Sequence, residues 1–266
     1  MIPIPGNPRH RAVIKYIGLA VLALLLIPII FGLPHRSRDL SPALRILPLG
    51  DSITWGWQPE HRENGTNGYR AKLLRDLVYA QFDWRHKSWH MVDFVGTQHS
   101  GLMPDNDNEG YPGYRISQIH EAMGKALAMR PNVVLLHAGT NDLNKPARDT
   151  ESWEDAPVRL GRLLDEVLRV CPDAVVMVAK IIQAEAAQTA KNIQAYNNAI
   201  PGIVQKRSRA GHKVIVVDHS IIGPAELSDG LHPTYAGYAH MGDIWYHAIK
   251  KANEKKLIRS PVSLAE

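Results

Sequence analysis

Five short apolar runs punctuate the chain: Leu44 to Leu49, Met91 to Val95, Val133 to His137, Ala174 to Ala179 and Val214 to Asp218. Most are rich in Val, Ile and Leu without strict polar alternation, the pattern of strands covered on both faces. Between them lie longer amphipathic stretches that predict helices over Tyr69 to Gln81, Ile116 to Met129, Val158 to Val170, Thr189 to Arg209 and Tyr235 to Asn253. Strands alternating with helices predict one α/β layer sandwich, its parallel sheet joined by right-handed crossovers. In such a fold ligands bind beyond the carboxyl ends of the strands, so the residues that follow each strand are where chemistry is expected.

A different pattern precedes this domain. From Tyr16 to Leu33 no residue is charged, and at about 1.5 Å per residue the run makes roughly 27 Å of helix, nearly a bilayer core. Arg9, Arg11 and Lys15 precede it and Arg36 and Arg38 follow, which leans toward a cytoplasmic N-terminus. The organisation expected is an n-region over 1–15, a transmembrane anchor over 16–33, a linker over 34–43, the main domain over 44–254 and a tail over 255–266. A cleaved signal peptide is the competing reading, although no Ala-x-Ala site follows the uncharged run before the main domain. The first reading makes a single-pass protein with its domain lumenal or extracellular, the second a secreted one.

Charge sharpens the partner list. Of the net +5, residues 1–40 carry +4, with Arg9, Arg11, Lys15, Arg36 and Arg38 against Asp39. The remaining domain is close to neutral and shows no basic stripe, so nucleic acid is not an expected partner. The single cysteine, Cys171, rules out an intrachain disulfide and a multi-thiolate metal site. It precedes Pro172 without a basic neighbour and reads as a buried spacer. A monomer is expected.

Four segments at strand ends carry candidate chemistry. Gly50-Asp51-Ser52-Ile53-Thr54 puts Ser52 on the turn leaving the first strand, though Thr54 breaks the Gly-x-Ser-x-Gly elbow. Gly113, in Tyr111-Pro112-Gly113-Tyr114, has no Cβ, so its N–H can approach a ligand oxygen. Asn141, in Gly139-Thr140-Asn141-Asp142, offers an amide donor for an oxyanion. Asp229-Gly230-Leu231-His232-Pro233 lets an Asp fold back onto an imidazole three residues later. Each has a plainer alternative as a turn or cap. Upstream, Asp105 to Gly110 imitates half a calcium loop, but Ile116 stands where the closing Glu belongs, and a solvated acidic loop is expected. The aromatics Trp55, Trp57, Tyr111 and Tyr114 flank these segments, with Trp55 and Tyr114 the expected sugar contacts; core packing is their other reading. His137 and His219 end strands near the presumed pocket and are candidates for support rather than chemistry. Asn64-Gly65-Thr66 is a glycosylation sequon.

In order and in combination, these blocks resemble the GDSL-type, or SGNH, hydrolases, whose letters correspond to Ser52, Gly113, Asn141 and His232. The resemblance runs from about Leu44 to Ala248, with Ile53 where Leu is usual. Gly-Asp-Ser-Ile-Thr-Trp-Gly, Asp-Asn-Glu-Gly-x-Pro-Gly and Ala-Gly-Thr-Asn-Asp are similar to carbohydrate esterase family three, the acetylxylan esterases and their fungal relatives, many of which have Trp at the position of Tyr114. The resemblance implies a three-layer, flavodoxin-like sandwich with a five-stranded parallel sheet. It also implies a catalytic Ser52, Asp229 and His232, an oxyanion hole from Ser52, Gly113 and Asn141, and no metal or cofactor. The substrate expected is a small-molecule or polysaccharide ester, acetylated carbohydrate foremost. The competing readings are a lysophospholipase-like lipid acyl hydrolase and a catalytically silent glycan-binding domain, with acyl transfer to a glycan also open.

Overall fold

A computed structural model of the chain describes residues 44–79, 92–147 and 151–263. The expected anchor over 16–33 and linker over 34–43 lie outside the described residues. Among those described, no helix is long and apolar enough to cross a membrane.

The strands in chain order are β1 (Leu44–Asp51), β2 (Val92–Phe94), β3 (Gln98–His99), β4 (Asp107–Tyr111), β5 (Val133–His137), β6 (Val175–Lys180) and β7 (Val214–Asp218). The helices are α1 (Ser52–Trp55), α2 (Arg70–Tyr79), α3 (Ile116–Ala122), α4 (Gly124–Ala128), α5 (Thr140–Asn144), α6 (Ala156–Val170), α7 (Ala187–Arg209) and α8 (Tyr235–Glu254). β1 pairs in parallel with β5, β5 with β6 and β6 with β7. The other edge of β1 is shared: β2 pairs along Leu44 to Ile46 and β4 along Leu49 to Asp51, both parallel. β3 adds antiparallel to β4. The expected five-strand parallel sheet is therefore enlarged to seven strands among the described residues, with one short antiparallel pair.

Alternation along each strand divides the core. Leu47 and Leu49 of β1, with Val134 and Leu136 of β5, face a layer built from α3, α4, α6 and α7. Leu44, Ile46, Val133 and Leu135 face α2 and α8 on the opposite side. This gives the two helical layers around the sheet that both-face burial requires. Roughly 1.5–3 kcal/mol for each fully buried aliphatic side chain outweighs the 0–1 kcal/mol of an exposed ion pair such as Arg169 with Glu166. The sheet edge is thus held by packing. Cys171 is buried with its thiol directed to the Leu127 carbonyl, and burial pushes it up to about 11. The expected tail is tied to the base of the sheet: Asn132 Nδ2 donates to Arg259 O at 2.6 Å and Arg45 to Val262 O at 3.3 Å.

The acidic segment does not form a solvated loop. Its second half is β4, in which Asn108 and Glu109 are buried. The Asn108 amide donates to Ser100 Oγ at 3.0 Å, while Glu109 accepts from Thr97 N–H at 2.6 Å and from the Tyr111 hydroxyl. These internal partners replace water. Among the described residues no three His, Cys, Asp or Glu side chains gather to hold a metal ion.

His137 and His219 are fully buried on the α8 side of the sheet, ring centroids 6.0 Å apart, and His219 lies 4.4 Å from Trp245. None of their ring nitrogens has a hydrogen-bond partner among the described residues. Burial pushes His137 down to about 4 and His219 well below the ordinary imidazole value. Between about pH 6.5 and 4 the unfolded chain therefore binds protons at these rings that the folded chain refuses, and stability falls as pH falls. Asp51, raised by burial to about 6, acts with the opposite sign. The difference between wild type and His137→Leu isolates the imidazole: urea unfolding of the variant is expected to lose less stability across this window, by on the order of 3 kcal/mol. Parallel pH curves for the two proteins would refute it.

Candidate active site

β1 ends at Asp51, whose Oδ1 accepts from Ile53 N–H at 3.0 Å and caps α1. Ser52 is the first residue of that one-turn helix, where backbone N–H groups have no intrahelical partner. Gly50 lets β1 approach β5 closely just before the serine, because a Cβ there would fall 2.1 Å from the His137 carbonyl oxygen of β5. Asp51 and Ser52 are both buried. The serine is consequently fixed at the carboxyl edge of the sheet, one residue past a strand buried along its whole length.

His232 reaches Ser52 from a loop far along the chain: its Nε2 lies 2.9 Å from Ser52 Oγ. Its other ring nitrogen, Nδ1, lies 2.9 Å from Asp229 Oδ2. Asp229 is held in turn by the backbone, its Oδ1 accepting from Leu231 N–H at 3.0 Å and His232 N–H at 2.7 Å. Asp229 thus fixes Nδ1 as the protonated nitrogen and leaves Nε2 as the acceptor facing Ser52. Burial pulls His232 below the usual imidazole value, an effect partly offset by Asp229. Burial alone would raise Asp229, but the hydrogen bonds from the His232 backbone and ring leave it below the usual carboxylate value. The indole of Trp57 packs against the imidazole at 4.2 Å and shields one of its faces.

Gly113 and Asn141 come from the two strands flanking β1. Tyr111, the last residue of β4, is in register with Asp51, and the chain turns immediately after it. Pro112 followed by Gly113 at φ +81°, closed by Tyr114 N–H to Tyr111 O at 3.1 Å, is the combination a type II turn requires. The Gly113 N–H stands outside that closing bond. On the other side His137 of β5 is in register with Gly50, and α5 begins three residues later. Asn141 Nδ2 donates to Tyr114 O at 3.0 Å, which uses one of its two amide hydrogens.

Asp142, to which the motifs assign no role, locks the two blocks together. One carboxylate oxygen accepts from Ile116 N–H at 2.9 Å and the other from the Arg159 guanidinium at 2.9 Å, with no exposed surface on Asp142. Burial nevertheless raises its pKa above the ordinary carboxylate value, the ion pair only limiting the shift. The aromatics divide. Tyr114 is partly exposed and stacks on Tyr111 with centroids 4.9 Å apart. Trp55 instead packs under the 56–66 loop, where a Cβ on Gly65 would meet its ring at 2.8 Å. Trp55, expected as a sugar contact, is half-buried there. Trp57, two residues on, is the tryptophan that touches His232, and spacing alone does not distinguish the two. His137 and His219 pair with each other, and His219 with Trp245, rather than with Ser52 or His232.

A sequence model of the GDSL-like lipase/acylhydrolase family matches residues 49–240, a span that contains Ser52, Gly113, Asn141, Asp229 and His232. The chain belongs to this family. It is similar to a family 3 carbohydrate esterase structure from Clostridium thermocellum, at 32% identity and TM-score 0.62, over 80% of this chain and 98% of that one. A family 3 carbohydrate esterase from Talaromyces cellulolyticus shares the fold at 24% identity and TM-score 0.62, over 80% and 99% of the two chains. A multidomain esterase of Ruminococcus flavefaciens is 29% identical over 251 residues, 82% of this chain. The chain spans 30% and 49% of the lengths of the two curated relatives it matches.

An imidazole must be neutral to take a proton from Ser52, so ester hydrolysis at this site is expected to fall as pH falls through the His232 value. With that value below the ordinary 6.5 or so, the acid limb of kcat/KM on a chromogenic ester is expected below that pH. Asp229→Asn removes the group that holds the value up, and is expected to move the limb lower while cutting kcat by up to about 10⁴, as in serine proteases. A wild-type limb at pH 7 or above would contradict the burial argument.

Proposed function

We propose that the chain is a serine esterase that hydrolyses small acyl esters, acetyl foremost, on carbohydrate, through an acyl-enzyme. The observation that carries the reading is the 2.9 Å approach of Ser52 Oγ to His232 Nε2, with Asp229 behind the imidazole. Ser52 Oγ attacks the ester carbonyl as its proton passes to Nε2. The oxyanion accepts hydrogen bonds from the backbone N–H groups of Ser52 and Gly113 and from Asn141 Nδ2, each donor worth roughly 2.7–4 kcal/mol by the cost of deleting one. Collapse of the tetrahedral intermediate breaks the C–O bond, and His232 returns the proton to the leaving alcohol. Water then repeats the sequence on the acyl-enzyme with His232 as base. None of these steps calls for a cofactor.

Similarity to a carbohydrate esterase over nearly that protein's whole length supports the sugar ester. Tyr114 offers an exposed ring beside Asn141 for a sugar face. A groove of about 620 Å³ lies farther along the surface, lined by His61, Asn67, Leu102, Tyr235 and their neighbours. Neither Ser52 nor His232 lines it, so it does not read as the acyl channel of a lipase.

Ser52→Ala is expected to lower kcat by several powers of ten, approaching about 10⁶ if the three residues act as a unit. Acetyl and decanoyl esters of one chromogenic alcohol test the acyl group, with acetyl expected to be preferred. A clear preference for decanoyl would transfer the assignment to lipid acyl hydrolysis. Failure of a fluorophosphonate to label Ser52 in folded protein would instead leave a silent glycan-binding domain.

The same proposal extends to placement: residues 16–33 anchor the chain in a membrane, with the esterase domain on the lumenal or extracellular side. Its support is the uncharged run flanked by basic residues. Intact-mass measurement of the mature protein is expected to retain residues 1–33, and a mature N-terminus beyond Leu33 would make it a secreted enzyme.

A further inference from the structure

We propose that Lys145 is a positioning residue for ester hydrolysis, its ammonium clamping the Gly113 carbonyl so that Gly113, whose N–H is the proposed donor, is held in place beside Asn141. The inference rests on the esterase reading and adds a residue that none of the four sequence blocks contains.

The bond that closes the turn at Gly113 is internal and does not tie it to the segment that carries Asn141. It runs from Tyr114 N–H to Tyr111 O. Pro112 has no N–H to contribute, and Gly113, with no side chain and φ +81°, is restrained less than any other residue type would be. The carbonyl of Gly113 is held from outside: Lys145 Nζ donates to it at 2.6 Å across 32 residues of sequence. The carbonyl of Tyr114, next along, is held by Asn141 Nδ2 at 3.0 Å. Two consecutive carbonyls of the second block are therefore gripped by side chains from the end of β5.

Lys145 is itself anchored, which separates it from a mobile surface lysine. Its N–H donates to Asn141 O at 3.3 Å, and its carbonyl accepts from the Trp153 indole at 3.0 Å. The following Pro146 carbonyl accepts from the buried Arg115 guanidinium at 2.6 Å. The lysine backbone thus sits on the helical turn that carries Asn141, and its ammonium spans the gap to Gly113. A clamp of this kind keeps two donors from separate strands at a fixed spacing. The cation also strengthens the bond about twofold over a neutral donor. Displacement of a donor by an ångström costs on the order of 10² in rate, so the effect belongs to the transition state and not to substrate binding.

Lys145→Met and Lys145→Arg in the full chain, measured on a chromogenic acetate, test the clamp. Lys145→Met is expected to lower kcat about 10- to 100-fold with KM within about twofold of wild type. Lys145→Arg, which keeps a charged donor of similar reach, is expected to restore most of kcat. Fluorophosphonate labelling of the Met variant should still go to completion, because Ser52 and His232 are untouched. Wild-type kcat in Lys145→Met, or a loss confined to KM, would overturn the clamp. So would a loss of kcat and melting temperature together that Lys145→Arg fails to restore. Where Lys145→Met lacks a cooperative melt, Lys145→Gln takes its place: a kcat loss of the same size supports the clamp, and wild-type kcat overturns it. Ser52→Ala run alongside separates the two levels: near wild-type hydrolysis there sinks the esterase reading itself, whereas an inactive Ser52→Ala beside a fully active Lys145→Met sinks the clamp alone.

Discussion

Parallel register at one edge of the sheet is the constraint on which the site depends. Asp51 of β1 is level with Tyr111 of β4 on one side, and Gly50 is level with His137 of β5 on the other. Since all three strands run the same way, the segments leaving them emerge on the same edge. Ser52, the Pro112–Gly113 turn and Asn141 are brought together by strand pairing before any side chain contributes. The hydrophobic layers on both faces hold that register, because a slip by one residue would exchange the faces of every strand residue. Core packing and the geometry of the candidate site are in this sense one requirement.

Strand register places backbones to within a few ångströms, and a second set of interactions must refine it. The buried polar groups around the site serve that end. Asp142 ties the end of β5 to the first turn of α3 through Ile116 N–H and is neutralised by Arg159. A buried ion pair of this type contributes little net stability, since desolvation offsets the attraction. Removing either partner, however, strands a charge in the core. Such a pair is therefore better explained by the position it enforces than by the energy it adds. On the opposite flank of β1 the fully buried Arg70 donates to the carbonyls of Asn106 and Ser100 and to Ser100 Oγ, pinning the loop before β4. Burial lowers it to about 10, still charged at neutral pH.

The elements with strong periodicity were legible in the sequence. Val133 to His137 and Val214 to Asp218 form strands with those limits, and the long helices begin and end within a few residues of the apolar pattern. The order of the four site blocks was legible too, because each follows a recognisable strand or turn signal. β4 was not. Asp107, Asn108 and Glu109 read as a solvated loop because the partners that satisfy them, Ser100 and Thr97, come from a separate segment whose approach no local pattern encodes. The same limit explains Trp55 and Trp57. Their spacing from Ser52 is nearly equal, and only the αL turn at Gly56 sends one ring under the 56–66 loop and the other against His232. Lys145 was invisible for a related reason: a single lysine after a polar turn has no meaning until the turn at Gly113 is seen beside it.

The site therefore joins two parts of different physical origin. The proposed acid–base pair is local: within Asp229 to His232, two backbone N–H groups grip one carboxylate oxygen and leave the other for the imidazole. That arrangement needs only the turn that Gly230 permits at φ +79°, and it survives small movements of the sheet because its members move together. The proposed oxyanion donors are non-local, contributed by the residue after β1, by the turn after β4 and by the turn after β5, and their spacing changes with any relative shift of those segments. Preorganised donors act by being in place before charge develops, so the non-local part requires the greater investment in bracing. The distribution of buried polar contacts matches this division. Asp142, Asn141 and Lys145 reach between the blocks that supply the proposed donors, with Arg159 behind Asp142, whereas Asp229 is partly exposed and its carboxylate is held, among the described residues, by its own loop.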